Sequence, residues 1–184
     1  IPSADATAYG FEWENTLVPI DRLMLGVNVG YTHFEFDDDT VFPGYRITHG
    51  VPGFQEFNRP EWTGSLFAQY NGPRVFSDAH LSARVDGQFR SRYLMTSDTS
   101  PGSGLTAQED PLLRDSATAP DQWLVNARFA LNGLRIGGAT VELSLWGRNV
   151  FDNRNIIQYA GLGFAGAVIY ERARTYGVDL SIEF

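Results

Sequence analysis

The chain contains no cysteine and no lysine, and only three histidines and two methionines among 184 residues. Without cysteine there can be no disulfide framework and no thiolate metal site. Without lysine, all 14 basic residues are arginine, against 22 Asp and Glu, for a net charge of -8. An acidic chain repels phosphate backbones, which excludes nucleic acid as a partner class. Long apolar runs are also missing. None approaches the roughly 18 residues that a membrane helix needs. This leaves strands, because a transmembrane strand turns only every second residue to lipid. The chain begins at Ile1, with neither Met nor a basic, apolar leader. Either a signal peptide has been removed or, the reading we prefer, the chain is a segment of a longer protein.

What is present is aromatic residues (14%), 19 glycines and a period of two, a composition suited to β structure with tight turns. Seven candidate strands can be marked: Ala8–Val18, Leu23–Phe36, Glu61–Tyr70, Ala79–Tyr93, Gln122–Asn132, Thr140–Phe151 and Arg172–Phe184. Each is roughly 10 to 15 residues long, whereas globular strands average about 5 to 6 and tilted membrane strands need about 9 to 11. The connections alternate. Short turns fall at Pro19–Arg22, Asn71-Gly72-Pro73 and the Gly133, Gly137, Gly138 stretch; long segments run over Asp37–Arg59, Leu94–Pro120 and Asp152–Glu171. Such alternation is the habit of outer-membrane barrels, with short periplasmic turns and long outer loops.

The alternation also sorts the faces. Leu81, Ala83, Val85, Gly87, Phe89 and Tyr93 oppose His80, Ser82, Arg84, Asp86, Gln88, Arg90 and Arg92. Tyr176, Val178, Leu180, Ile182 and Phe184 oppose Gly177, Asp179, Ser181 and Glu183. Unpaired charges cannot line a dry core, so the charged face meets water and the other meets lipid or protein. Trp62, Tyr70, Tyr93, Trp123, Tyr176 and Phe184 close the ends of apolar faces, as in a membrane aromatic girdle. A soluble sandwich with one wet face per sheet is the competing architecture.

Two runs carry a family resemblance. Arg174-Thr175-Tyr176-Gly177, followed by alternation to a final Phe184, resembles the terminal strand of TonB-dependent outer-membrane receptors. Leu143-Ser144-Leu145-Trp146-Gly147-Arg148-Asn149-Val150-Phe151-Asp152 is similar to that family's penultimate-strand run. Pro60-Glu61-Trp62-Thr63 and Val125-Asn126-Ala127-Arg128 look like family strand starts. The resemblance implies an all-β fold: an antiparallel transmembrane β-barrel segment of about seven long strands from a barrel of about 22. Residues 1–184 would then be its carboxy-terminal portion, without the plug, the TonB box and the earlier strands. It further implies uptake of a scarce small molecule such as a siderophore, without enzymatic activity or cofactor. The implied partners are outer-membrane lipid, the receptor's own plug and the TonB complex, a small-molecule ligand and the barrel-assembly machinery. That machinery would read Tyr176, Val178, Leu180, Ile182 and Phe184. A non-transport barrel, either enzyme or adhesin, is the alternative within the membrane class.

Candidate sites follow from where a barrel presents its chemistry. In the first long segment, Phe42, Tyr45, Arg46, His49, Phe54 and Phe57 can stack on or pair with an anionic or aromatic ligand. Loop-on-loop packing is the plainer account of them. Arg84, Asp86, Arg90, Arg92, Arg128 and Arg148 face the lumen by parity, where an ion-pair ladder with Asp86 beside Arg84 and Arg128 is the plain account. Asp37-Asp38-Asp39 lacks the spacing of a calcium loop, and the three histidines are scattered, so no metal site is expected. Glu12 and Glu14 share a strand face, but no nucleophile elbow or other catalytic constellation accompanies them.

Overall fold

The computed structural model describes residues 6–36, 40–42, 45–47, 59–76, 78–95, 111–161 and 166–184. In chain order the elements are β1 (Ala6–Ile20), β2 (Leu23–Phe36), β3 (Thr40–Phe42), β4 (Tyr45–Ile47), β5 (Trp62–Phe76), β6 (Ala79–Arg90) and β7 (Tyr93–Leu94). Then come the short helix α1 (Pro111–Ala117), β8 (Thr118–Ala119), β9 (Gln122–Ile136), β10 (Ala139–Arg148), β11 (Ile156–Gly161), β12 (Gly166–Tyr170) and β13 (Thr175–Glu183). Seven strands form one antiparallel sheet in the order β1-β2-β5-β6-β9-β10-β13. The chain is thus all-β, and the sheet is open: β1 and β13 are its edges rather than partners of each other.

The hairpins show how the sequence turns. Asp21-Arg22 joins β1 to β2, with Arg22 in the left-handed region at φ 71°. Gly137-Gly138 joins β9 to β10, with φ 58° and 92°. Two consecutive positive φ values define the turn whose twist matches a right-twisted hairpin, and glycine adopts them without a Cβ clash. Gly133 is not part of this turn. Its φ is 73°, and Asn132 and Gly133 together oppose the single residue Glu142, which makes a bulge in the ladder.

The expected turn at Asn71-Gly72-Pro73 is also corrected. β5 continues through it to Phe76, and its pairing with β6 shifts between Asn71 and Arg74 and again between Arg74 and Phe76. Pro73 has no N–H to donate, and a bulge is where a sheet tolerates that loss.

The register aligns one apolar face across all seven strands. Tyr31 pairs with Trp62, Val27 with Leu66, and Ala68 with Val85. Phe89 pairs with Trp123, Phe129 with Leu145, and Leu145 with Val178. Packing layers do not cover this face: Leu145 is 57% exposed, Val178 62% and Leu180 63%. Aromatics gather toward its loop end, where the Phe11, Tyr31 and Trp62 ring centroids lie 4.7–5.9 Å apart and Phe89 stands 5.0 Å from Trp123. Tyr93 is absent from this face. The ladder ends at Arg90, and Tyr93 belongs to β7 and packs against a small buried cluster beyond the sheet. That cluster joins Leu94, Met95, Ala117, Ala119 and Tyr159, so parts of the second and third long segments pack on each other.

Candidate functional site

The opposite face of the sheet is polar and holds the chemistry. Its cross-strand rows begin Glu12–Gly30–Thr63–Arg90–Gln122 and Glu14–Asn28–Ser65–Gln88–Leu124. Near the loop ends of the strands these two rows line a hollow of about 490 Å³, which Glu171 also borders. Asn28 Nδ2 donates to Ser65 Oγ at 3.1 Å, and Gln122 Nε2 donates to Glu171 Oε2 at 3.4 Å. Gln122 is only 2% exposed. Arg90 Nη1 donates to Tyr93 Oη at 3.2 Å, while Arg90 Nε and Nη2 are shielded from water and meet no acceptor among the described residues.

Below the hollow, arginine and carboxylate side chains pair along the sheet. Arg84 holds Asp86 with Nε 3.0 Å from both carboxylate oxygens and Nη2 2.6 Å from Oδ1. Its Nη1 donates to Gln69 Oε1 at 2.8 Å, and its guanidinium lies 4.5 Å above the Phe67 ring. Phe67 in turn covers Gly26, where an added Cβ would collide with the ring. Arg128 stands directly across from Arg84 in the ladder. Like charges so placed repel, and each carries its own carboxylate: Asp86 for Arg84, and Glu142 at 2.6 Å for Arg128. The expected bridge from Asp86 to Arg128 is therefore replaced by two separate pairs. Arg148 also lies on this face, its guanidinium 5.2 Å from the Trp146 ring, and Trp146 Nε1 donates to Asp179 at 3.1 Å. Arg92 lies past the end of β6, where its backbone N–H donates to Asp121 Oδ1 at 2.7 Å.

A second constellation closes the loop end between β10 and β13. Asn149 is buried, with φ 49°. Its Nδ2 donates to the carbonyls of Asn153 (2.8 Å) and Arg172 (2.7 Å), and its Oδ1 accepts from Asn153 N at 2.9 Å. Asn149 N donates to Asn126 Oδ1 on β9 at 3.0 Å. Asp152, at φ 55°, accepts from Arg174 N at 2.9 Å and from Arg154 at 3.1–3.2 Å. These bonds hold the Asp152 carboxyl below its usual pKa, the backbone N–H of Arg174 most of all. The run Arg148–Asp152 is thus a clamp tying three strands together. Asn and Asp suit it, because both tolerate the left-handed conformation and bond nearby backbone.

The loop candidates fall elsewhere. Phe42, Tyr45 and Arg46 belong to the β3–β4 hairpin, but their side chains, together with His49, Phe54, Phe57 and Asp37-Asp38-Asp39, lie outside the described residues. Of the terminal set, Tyr176, Val178, Leu180 and Ile182 share the apolar face, and Phe184 follows β13 fully exposed. His33 stacks on Tyr9 at 4.9 Å and approaches Glu61 at 3.4 Å, and no described group of three His, Asp or Glu gathers as a metal site.

No protein-family model matches this chain, and no curated protein matches it. The hollow was missed in the sequence. Its signal was the alternation of Glu12 and Glu14 on one strand with Gln88 and Arg90 on another, but only the register brings those strands together.

Proposed function

We propose that this chain is the carboxy-terminal wall of an outer-membrane β-barrel of the TonB-dependent transporter type. The observation that carries the membrane part is the apolar face continuous over seven long strands and exposed at most of its large side chains. At roughly 25 cal/mol per Å² of apolar surface, leaving such a face in water is costly, and acyl chains remove that cost. The polar face would line the interior, where its paired charges meet water. The hairpins at Asp21-Arg22 and Gly137-Gly138 would point to the periplasm, and the clamp and small cluster to the outside. The open edges β1 and β13 would pair with further strands of the barrel, since an exposed strand edge seeks a partner. The transporter reading rests on the terminal run and the Arg148–Asp152 run, and the clamp supplies a physical reason for Asn and Asp in the latter. In such a transporter, loops and interior capture a scarce solute, and energy reaches a plug through TonB.

Fluorescence tests the membrane part. Trp13, Trp62 and Trp123 share the apolar face, whereas Trp146 lies on the polar face. Single-tryptophan variants reconstituted in vesicles of acyl-brominated lecithin should show quenching at the first three positions and little at Trp146. Equal quenching at all four, or at none, would overturn the proposal. Capture of the full-length product by a TonB periplasmic domain tests the transporter part. A product that fails to bind it is a barrel of another kind.

A further inference from the structure

The hollow on the polar face carries Glu12 and Glu14 on one wall, Arg90 and Glu171 on the other, and neutral polar groups between them. Glu12 and Glu14 stand exposed on edge strand β1, and among the described residues neither carboxylate meets a cation. Arg90 stands on the far wall, on β6. Three strand spacings separate β1 from β6, or about 14 Å between backbones, and the side chains close part of that distance. Asn28, Thr63, Ser65 and Gln88 form the floor between.

Arg90 is the group that asks for a ligand. A guanidinium holds five N–H donors in a planar fork, and its Nε–Nη2 edge presents two parallel donors that match a carboxylate. In Arg90 that edge is shielded from water and, among the described residues, unpaired. A buried charged donor without an acceptor costs more than a neutral one. Glu171, a further carboxylate of the lining, is engaged by Gln122 at 3.4 Å and by Arg172 N at 2.9 Å. The missing acceptor must therefore come from outside this set.

We infer that the hollow binds a zwitterionic ligand of the short-peptide class. Its carboxylate pairs with the Nε–Nη2 edge of Arg90, and its ammonium lies between Glu12 and Glu14. The amide and hydroxyl groups of the floor match the donors and acceptors of peptide bonds. An extended tripeptide spans about 10 Å, and a volume of about 490 Å³ holds it. The inference depends on the proposed function only in needing the polar face open to water.

The test is calorimetric titration of the full chain, refolded in detergent micelles, with trialanine. Saturable binding is expected, with N-acetyl-trialanine and trialanine amide each at least tenfold weaker. The Glu12→Gln/Glu14→Gln double variant, changed only on an exposed edge strand, should lose the discrimination against the acetylated peptide. Arg90→Gln should lose that against the amide; if this variant does not fold, the double variant carries the test. The absence of saturable binding, equal affinity for both capped peptides and trialanine, or unchanged discrimination in the double variant would each overturn the inference. Brominated-lipid quenching separates the two ideas. Quenching without peptide binding removes this inference alone, and peptide binding without quenching removes the membrane reading alone.

Discussion

Asn149 concentrates the chemistry of the loop end in one side chain. It makes three side-chain hydrogen bonds from a buried position and holds a left-handed φ of 49°. At about 1 kcal/mol per bond, Asn149→Ala should cost about 3 kcal/mol, read as a lowered urea midpoint by tryptophan fluorescence. A loss under about 1 kcal/mol would mean that the clamp does not organise this end of the sheet. Asp152 adds a pH dependence. Its folded pKa is depressed by the Arg174 N–H and by Arg154, so its contribution is present above the ordinary carboxylate pKa of about 3.9 and is lost as pH falls through the lower folded value. The Arg174 amide should therefore lose hydrogen-exchange protection below about pH 4, after correction for intrinsic exchange. In Asp152→Asn the protection should be low and independent of pH over the same range. A wild-type amide whose protection stays constant to pH 2 would contradict this account.

At the scale of elements, glycine and proline have two uses that look alike in a sequence. Gly137-Gly138 makes a turn, while Gly133 and the Asn71–Pro73 stretch make bulges inside strands. Both uses interrupt the alternation, and only pairing with the neighbouring strand separates them. The turn can be tested cleanly. A Cβ at either Gly137 or Gly138 would meet nothing within 4 Å, so any cost of substitution lies in the backbone. Gly137→Val combined with Gly138→Val should destabilise by about 2–4 kcal/mol, because positive φ costs an L residue about 1–2 kcal/mol each. Gly137→Asn should remain near wild type, since Asn-Gly suits this turn. If the double valine variant unfolds at the same denaturant concentration as wild type, the turn is not as described.

For the whole molecule the decisive property is what touches the apolar face. Leu143 lies mid-strand on that face, in register with Leu131 and Leu180, whereas Ser181 lies on the polar face opposite Glu142. In a bilayer, Leu143→Arg should cost about 2–4 kcal/mol while Ser181→Arg costs little. On a water-exposed sheet both changes would stay within about 0.5 kcal/mol. Equilibrium unfolding of both variants in vesicles distinguishes the two outcomes, and equal costs would remove lipid from the account. The open edges act at the same scale: both outer strands leave backbone groups to be satisfied by something beyond this sheet.

The alternation of side chains by itself determined the strands, their two faces and the sequence of short and long connections, because a period of two is a local property of extended chain. The residues of the clamp also stood out, as a run near the end of β10. What they bond could not be read, since Asn149 and Asp152 reach Arg172, Arg174 and Asn126, more than 20 residues away. Only the tertiary structure decided which carboxylate neutralises Arg128, that Tyr93 leaves the sheet for the small cluster, and that Glu12 shares a hollow with Arg90. Each of these depends on register between strands distant in sequence, and a shift of one residue would exchange the two faces of a strand and dissolve them all.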